Sequence, residues 1–411
     1  PPLIFAISQA LSGPLLELMA ADGGGFNLRG PSSRGKSRVL FAAASVWGAP
    51  GFVSTWRTTD NALEWLCAAA NGTILLLDEI GQGDSRKAGE IAYMIANGEA
   101  KARANTQGGA RRRANWRTTM LSSGELSLSD KIREAGGRVR AGQEVRVLDL
   151  PVTDYEYGCF GDLHDHADGG AFADAVKAAA AANYGHAGPA FVERIIQHPD
   201  AVRRLVERHR KYFVEKAREQ IGEDKIDGQV ARALDRFALV AAAGEIASSD
   251  DLLGDGSGAL GSITGWPDNL AMDAVLDIAA RWLLQRGDVG ATEKRQAIAQ
   301  VREYLTRYGD TRFQRQGIDV FEGHDRAGFR DDAYFYVMPE IWRNQVVTGL
   351  DPKTAAKDLE AAGFLERGEG RNRQARLPWS VAGGARGSIR SPPGSSRMSP
   401  GSPSKNQDRL F

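Results

Sequence analysis

The sequence predicts an α/β fold with a mostly parallel sheet over residues 1–158, and three observations predict it. Short apolar runs alternate there with helical patterns. The stretch "RGPSSRGKS" (residues 29–37) fits G-x-x-x-x-G-K-[ST], the pattern of a phosphate-binding loop between a strand and a helix. The stretch "NGTILLLDEI" (residues 71–80) is an apolar strand pattern that ends in two carboxylates. Together these features indicate a nucleotide-binding α/β core.

The phosphate loop is the first element with a predicted chemistry. Its two glycines allow backbone N–H groups to converge on phosphate oxygens, which a Cβ atom would obstruct. The Lys36 ammonium is expected to face the β- and γ-phosphates, and the Ser37 hydroxyl is expected to ligate Mg²⁺. The helix that follows presents its positive end to the anion. The predicted nucleotide-binding residues are Gly30, Ser32, Ser33, Gly35, Lys36 and Ser37.

The carboxylates of the second motif complete the predicted ATP site. A buried parallel strand delivers residues at its carboxyl end to the edge of the sheet where α/β sites lie. We expect Asp78 to hold Mg²⁺ with Ser37, and Glu79 to orient or deprotonate the attacking water. A further strand, "FVSTWR", is predicted between the two motifs, which is typical of the additional-strand P-loop ATPases, the AAA+ and RecA-like enzymes. A small-molecule kinase shares the loop pattern, but Glu79 argues against that alternative.

A third strand pattern, "WRTTMLSSGE" (residues 116–125), ends in small polar residues. In the additional-strand class, the strand beside the Asp-Glu strand carries a polar sensor of the γ-phosphate. Ser123 is the predicted sensor, with Ser122 beside it. A plain turn from strand to loop is the alternative.

Arginines near the fourth apolar strand are candidates for an arginine that acts on a neighbouring subunit's nucleotide. We favour Arg146, with Arg140 and Arg133 as alternatives, so the predicted catalytic set is Lys36, Glu79 and Arg146. Arg232 or Arg236 is a weaker candidate for a nucleotide sensor in the helical region. A structural role is the alternative for each of them.

A basic segment, "KARANTQGGARRRANWR" (residues 101–117), lies between the Asp-Glu strand and the sensor strand. Its turn and its charges predict a hairpin that neutralises nucleic-acid phosphates. The predicted nucleic-acid-binding residues are Arg111, Arg112 and Arg113, which have no carboxylate beside them in the sequence. A solvated basic loop is the alternative.

Composition sets limits on these predictions. Of 411 residues, 42% are hydrophobic and 25% are charged, with 52 basic and 52 acidic side chains, so net charge does not predict a nucleic-acid partner. The two cysteines form no C-x-x-C motif, which predicts a cytoplasmic protein without a disulfide framework or zinc site. The apolar first residues contain polar interruptions and predict a buried helix rather than a membrane span. Because the chain begins with Pro1, we expect a fragment or a processed product.

Patterning also predicts the domain organisation. The core at 1–158 is followed by a helical domain at 159–325, where apolar residues recur with a period near 3.6. Residues 326–379 predict two helices and a hairpin, a winged-helix-like module. In this region "YFYVMPEIWRNQVV" is read as the first helix. Residues 380–411 are rich in Gly, Ser, Pro and Arg and predict a disordered tail.

The segments "GPLLELMAADGGGFNLRGPSSRGKS", "LLLDEIGQ" and "LSSGE" resemble a bacterial and phage family, domain of unknown function 927. The resemblance extends over residues 1–378. Asn27, Arg34 and Arg38 depart from the family pattern but are not predicted phosphate ligands. The resemblance implies a P-loop ATPase in primase-helicase-like proteins of mobile elements, with a primase-type region upstream.

The sequence thus predicts an ATP-hydrolysing, Mg²⁺-dependent motor, a DNA helicase or translocase that binds single-stranded or forked DNA. A homo-oligomeric ring is expected, and no membrane association. The alternative is a non-motor ATP switch that controls a winged-helix DNA-binding protein. Strand displacement distinguishes the two, because only a motor separates a duplex.

Overall fold

The computed structural model describes residues 1–101, 113–137, 141–221, 226–252, 261–286, 292–315, 325–367 and 375–378. The chain divides into two compact units, residues 1–289 and residues 290–411, and each contains a five-stranded sheet. The predicted domain boundaries after residues 158 and 325 stay predictions. The predicted disordered tail, residues 380–411, lies outside the described residues.

A parallel sheet lies at the centre of the first unit, which confirms the predicted α/β class. Its strands follow the order β2-β3-β4-β1-β5, and all of the pairs are parallel. The strand β4 therefore lies between the phosphate-loop strand β1 and the Asp-Glu strand β3, so the carboxyl ends of all three meet at one edge of the sheet. The strands are β1 (Gly24–Arg29), β2 (Ser54–Thr55), β3 (Ile74–Asp78), β4 (Thr119–Gly124) and β5 (Val147–Pro151).

Helices cover both faces of this sheet, because alternate strand residues point to opposite sides and are apolar on both. In β3, Ile74 and Leu76 belong to one buried cluster, whereas Leu75 and Leu77 belong to the other. The helices of this unit are α1 (Pro2–Leu18), α2 (Lys36–Ser45), α3 (Asp60–Ala69), α4 (Ala88–Asn97), α5 (Leu128–Glu134), α6 (Ala141–Glu144), α7 (Gly169–Ala182), α8 (Ala187–Gln197), α9 (Pro199–Ile221), α10 (Gly228–Ser248) and α11 (Leu270–Arg286).

The larger core joins the helices after β5 directly to the sheet. Phe26 of β1 packs against Phe5 of α1 with ring centroids 5.0 Å apart, and against Phe237 of α10 with centroids 4.9 Å apart. Phe172, Phe191 and Phe213 of α7, α8 and α9 belong to the same buried cluster. The residues predicted as a helical domain therefore contribute to the core that also covers the phosphate-loop strand.

The apolar first segment forms α1, which buries its apolar residues within the first unit. Phe5, Leu11 and Leu15 have no exposed surface. Across the described ranges of the chain, none of the helices has the length and apolar character that crossing a membrane requires.

The second unit has a separate core under its own sheet, whose strand order is β6-β7-β8-β10-β9. Buried residues from α12 (Val301, Leu305), β8 (Phe335) and α14 (Leu359) belong to one cluster. The elements are α12 (Thr292–Tyr308), β6 (Phe313–Arg315), β7 (Gly328–Arg330), β8 (Tyr334–Val337), α13 (Pro339–Ile341), α14 (Pro352–Ala361), β9 (Glu366–Arg367) and β10 (Ala375–Pro378).

One predicted helix of this unit is wrong in its first half. The residues "YFYV" form the strand β8, and the helical backbone begins only at Pro339. Burial alternates there, with Phe335 and Val337 inside, so aromatic and β-branched side chains with a period of two favour a strand. Asp351 caps α14 through a 2.8 Å bond from the Thr354 N–H, as its position before Pro352 predicts. The winged-helix assignment of this module stays a prediction.

Candidate active site

The phosphate loop connects the carboxyl end of β1 to the first turn of α2. Gly35 lies at the N-cap of α2 with φ of 92°, in the left-handed region that glycine adopts without strain. A Cβ atom on Gly30 would lie 2.2 Å from the side chain of Thr153. The backbone conformation at one glycine and the close approach at the other therefore explain why the pattern requires these two residues.

Lys36 spans the inside of this loop. Its ammonium donates to the carbonyl oxygens of Gly30 at 2.8 Å and Pro31 at 2.6 Å. Only 7% of the residue is exposed, so the loop encloses a positive charge. The loop is thus closed around a cation, at the point where the sequence predicts the phosphates.

Asp78 connects three elements at the edge of the sheet. The Ser37 hydroxyl at the start of α2 donates to Asp78 Oδ2 at 3.0 Å. The Ser123 hydroxyl on β4 donates to the other carboxylate oxygen. The strand order places these residues together, because β4 lies between β3 and β1.

The two candidate sensor residues point to opposite faces of β4. Ser123 contacts the Asp78 carboxylate, whereas Ser122 accepts a 2.7 Å hydrogen bond from the buried indole N–H of Trp56. Side chains alternate along a strand, so only one of two successive serines can face the phosphate loop. The position of Ser123 matches the predicted sensor, and its function stays a prediction.

Glu79 has a backbone conformation that is unusual for a side chain of its type. Its φ is 62° and its ψ is 75°, which costs on the order of 1–3 kcal/mol for a residue other than glycine. Strain of this size persists where the surrounding structure fixes it, and it concentrates at functional sites. Glu79 is therefore held in a defined orientation immediately after Asp78.

Lys131 of α5 is a site residue that the sequence analysis missed. Its ammonium donates to the Gly81 carbonyl oxygen at 2.7 Å and pairs with Glu134 at 2.8 Å. The residue is 5% exposed, so this contact fixes the turn that follows Glu79. The sequence carried no signal for it, because the contact joins segments 50 residues apart.

A cleft of about 320 Å³ opens above these groups. Its volume is within the usual range of small-molecule sites, which begins at about 300 Å³. Five of the six predicted nucleotide-binding residues line it, and Gly30 lies at the base of the loop, where it contacts Thr153. The lining residues are Ser32, Ser33, Arg34, Gly35, Lys36, Ser37, Arg38, Glu79, Ser123 and Ala173.

The segment after β5 supports the phosphate loop from outside, and the sequence analysis did not anticipate this. The Cys159 N–H donates to the Arg34 carbonyl oxygen at 2.8 Å. A Cβ atom on Gly35 would lie 2.8 Å from the ring of Phe160. Burial raises the pKa of the Cys159 thiol to about 12, so Cys159 is a neutral packing residue. Only the tertiary structure brings this segment to the loop.

The donor set at Asp78 and Ser37 fits a magnesium ion that is shared with nucleotide phosphates. Mg²⁺ is usually bound by one or two protein oxygens together with phosphate oxygens and waters. The Ser37 hydroxyl, which lines the cleft, lies 3.0 Å from the Asp78 carboxylate, and the two groups provide such a pair. Within the described ranges, no three His, Cys, Asp or Glu residues form a metal-binding group, so a cage made by protein alone does not occur there.

Arg146 lies directly before β5, at the amino-terminal edge of the sheet and opposite the phosphate loop. Its guanidinium lies 4.3 Å from the ring centroid of Tyr93 and donates to the Gly142 carbonyl oxygen at 2.8 Å. It also donates to Asn97 at 3.3 Å. These contacts hold it within its own chain, and its action on a neighbouring nucleotide stays a prediction.

The other candidate arginines are less suited to that function. Arg140 lies outside the described residues. Arg133 is exposed and pairs with Asp130 at 3.2 Å. The prediction that Arg236 senses the nucleotide is wrong for its position, because its guanidinium donates to the carbonyl oxygens of Gly23 and Val145 at the amino-terminal edge of the sheet.

The basic segment begins and ends as a hairpin. Glu99 and Asn115 form an antiparallel bridge, and the Ala100 N–H donates to the Ala114 carbonyl oxygen at 2.9 Å. Arg111 and Arg112 lie outside the described residues. Arg113 pairs with Glu99 at 3.5 Å, so it has a carboxylate partner in the structure although none lies beside it in the sequence. The pairing of hairpin strands brings this carboxylate close although it lies 14 residues away in sequence.

Comparisons with known proteins support the family resemblance. Residues 1–115 match the family model described as Domain of unknown function (DUF927), which confirms the resemblance over the phosphate loop and the Asp-Glu strand. The resemblance beyond residue 115 stays a prediction. No curated protein matches the chain significantly.

Several solved structures match this chain, and two of them illustrate the range of similarity. One is titled "SCCmec type IV Cch - active helicase", with a TM-score of 0.64 and 20% identity over 93% of this chain and 67% of that chain. This similarity establishes a shared fold. The other, NtrX from Brucella abortus in complex with ATP, has 16% identity over 74% of this chain and 60% of that chain. Its TM-score of 0.25 is too low to establish a shared fold.

Proposed function

We propose that this chain, whose residues 1–115 match DUF927, is the ATP-hydrolysing module of a DNA helicase or translocase from a phage or mobile-element primase-helicase. The observation that supports this most directly is a cleft lined by Lys36, Ser37, Glu79 and Ser123. The Asp78 carboxylate accepts hydrogen bonds from both serines. The general part of the proposal, a nucleotide-dependent helicase-like protein, rests on the helicase-like fold and on the nucleotide-site chemistry at one edge of the sheet. DNA as the partner and the motor activity are the finer proposal.

In the proposed reaction, Lys36 turns from the carbonyl oxygens of its own loop to the β- and γ-phosphates. The two carbonyl bonds are local, so a phosphate oxygen can replace them without a change in fold. A fixed cation in an enclosed loop stabilises the charge that develops as the terminal P–O bond breaks. Backbone N–H groups of the loop orient the phosphates beside it.

Asp78 and Ser37 would hold the magnesium ion, which would neutralise part of the charge of the nucleotide phosphates. Glu79 accepts the proton of the attacking water, and its constrained backbone fixes the carboxylate relative to Asp78. Ser123 contacts Asp78 in the structure and is positioned to respond when a terminal phosphate is present. The positions and chemistry of these residues support the proposed functions.

The nucleic-acid proposal is supported by the basic hairpin at the opposite edge of the sheet. Its two described ends, Glu99 and Asn115, pair with each other. Asn115 precedes the amino terminus of β4 by a few residues, so these ends lie at the edge of the sheet away from the cleft. Arg111, Arg112 and Arg113 in the second half of the basic segment supply charges for phosphates. A solved structure of similar fold is titled an active helicase, in agreement with a motor. A ring of identical subunits, with hairpins facing its channel, is part of this proposal.

The test is the ATPase rate of the full chain with and without single-stranded DNA, followed by strand displacement on a tailed duplex. A motor hydrolyses ATP faster with DNA and separates the duplex only with ATP and Mg²⁺. ATP-dependent DNA binding without strand separation would instead favour the non-motor switch. No Mg²⁺-dependent hydrolysis under any condition would refute the ATPase itself.

A further inference from the structure

The cleft is lined from several elements. Glu79 and Ser123 line it where the terminal phosphate and the water are proposed to lie. Ala173 of α7 also lines it, and the next residue, Asp174, pairs with Arg38 of α2 at 3.5 Å. The helix α7 is therefore a candidate neighbour for the ribose and base of a nucleotide whose last phosphate lies near Glu79.

The segment between β5 and α7, which we call the wall, packs against the phosphate loop and leads into α7. The rings of Phe160 and Phe172 pack edge to face with centroids 4.9 Å apart. Phe160 contacts Gly35 on one side, and Phe172 directly precedes Ala173 on the other. This pair of buried rings fixes the wall relative to the phosphate loop.

Two imidazole rings lie on that wall. His164 and His166 pack against Phe172 with centroid distances of 5.7 Å and 5.3 Å, and both residues are exposed. His166 Nδ1 lies 2.8 Å from the Leu163 carbonyl oxygen, which fixes the ring. His164 and Asp165 have φ values of 47° and 68°, in the left-handed region that is strained for residues other than glycine. Both histidine rings lie on this strained turn or directly after it.

We propose that His164 and His166, supported by Phe172, form the stacking platform for the purine base of the nucleotide. The inference rests on the proposed function, because it assigns the base end of the same cleft. Aromatic rings bind a nucleobase by stacking on its π-face. The segment carries the exposed carboxylates Asp162 and Asp165, which repel phosphates and leave a neutral base as the suitable ligand.

The test compares magnesium ADP with magnesium pyrophosphate by calorimetry on the full chain. Both ligands carry a diphosphate group for the loop, only ADP carries a nucleoside, and neither has a γ-phosphate. Replacing both histidines (His164→Ala with His166→Ala) should weaken ADP binding about 5- to 100-fold and leave pyrophosphate binding unchanged. The variant with His164→Phe and His166→Phe keeps aromatic faces and should bind ADP within about threefold of wild type.

His186→Ala is the matched control, because this histidine is exposed in the same unit and its neighbours do not line the cleft. An unchanged ADP affinity in the double alanine variant would overturn the platform. Equal weakening of ADP binding and pyrophosphate binding would also overturn it, since the segment that carries the two histidines would then act only as a support of the phosphate loop. Wild type that binds pyrophosphate as tightly as ADP would refute the platform alone, whereas binding of neither ligand would refute the proposed function as well.

Discussion

At the scale of the residue, several positions of the site tolerate few other residue types, for steric or electrostatic reasons. Gly30 and Gly35 leave no room for a Cβ atom, and Glu79 occupies a conformation that few side chains adopt. Lys36 is almost fully enclosed by its own loop. Substitutions here should change chemistry more than stability, which two predictions test.

Lys36→Ala should abolish ATP hydrolysis. The variant loses the only ammonium that lines the described cleft, and with it the charge proposed to face the γ-phosphate. We expect the rate to fall at least about 100-fold, measured as phosphate release at saturating ATP. Lys177→Ala on the exposed face of α7 is the control and should keep the wild-type rate. Near-wild-type hydrolysis by the Lys36 variant would show that the phosphate-loop assignment is wrong.

Glu79→Gln should bind ATP but hydrolyse it about 10²- to 10⁴-fold more slowly, because an amide keeps the size of the side chain but cannot accept the water's proton. Equilibrium binding of radiolabelled ATP and single-turnover hydrolysis separate the two steps. Glu125→Gln, a carboxylate that follows the sensor strand outside the cleft, is the control. Lost binding with an unchanged hydrolysis rate for each bound ATP would contradict the function assigned to Glu79.

At the scale of the element, a partly buried carboxylate joins two strands and a helix beneath the site. Asp149 of β5 accepts from the side chain of Asn27 on β1 at 2.7 Å and from the Leu128 N–H at the start of α5 at 3.1 Å. Burial raises the pKa of Asp149 from 3.8 to about 6, although both hydrogen bonds oppose the shift. Ionisation of Asp149 is therefore coupled to the stability of this junction.

Asp149→Asn should remove one pH dependence of unfolding. Because the folded-state pKa of Asp149 is raised, the folded chain retains the proton between pH 4 and pH 6 while the unfolded chain has lost it. Wild type therefore loses stability relative to the variant as pH rises through this window, by on the order of 2 kcal/mol.

Urea unfolding of both proteins from pH 4 to pH 7 gives the difference between their free energies of unfolding. The contributions of other carboxylates are the same in both proteins and cancel in this difference. Asp174→Asn, whose side chain is 79% exposed, should give no such trend. A constant difference between wild type and the Asp149 variant would mean that Asp149 is ionised throughout.

At the scale of the whole molecule, the sheet of the first unit separates two proposed activities. The cleft lies at the carboxyl edge, and the described ends of the basic hairpin lie at the amino-terminal edge, near Arg146 and Arg236. A substitution at one edge of the sheet therefore leaves the residues at the other edge without direct contact with the changed side chain. Two predictions use this separation.

Replacing Arg111, Arg112 and Arg113 with Ala should weaken single-strand binding and leave the ATPase rate without DNA close to normal. Each lost phosphate contact removes about one released counterion, so the slope of log affinity against log salt should fall by about 2 to 3. The pairing of Arg113 with Glu99 makes the lower value the better expectation. Parallel salt plots with equal affinity would exclude the hairpin, and Arg371 and Arg373, which lie outside the described residues, would be tested next.

Arg146→Ala tests whether subunits share sites. If Arg146 acts on a neighbour's nucleotide, the variant should lose about 10³-fold or more in turnover with nearly unchanged nucleotide affinity. Mixing it with Lys36→Ala should then restore part of the activity in shared sites. If mixed oligomers form but stay inactive, the contacts with Tyr93, Gly142 and Asn97 define a structural arginine.

The sequence by itself determined the elements that depend on short-range pattern. The phosphate loop requires fixed residue types at fixed spacing, and buried parallel strands are continuous apolar runs, so β1, β3, β4 and the residues at their ends were predictable. The same short-range logic failed at "YFYV", where a helical neighbour obscured a strand with a period of two.

Only the tertiary structure decided which side chains meet across long separations. Lys131 reaches the turn after Glu79, Glu99 pairs with Arg113 across the hairpin, and the segment at 153–172 supports the phosphate loop. It also decided that Ser123 rather than Ser122 faces Asp78, and that Arg236 lies at the far edge of the sheet. Such contacts depend on strand order and helix packing, which bring together residues whose sequence separation carries no pattern.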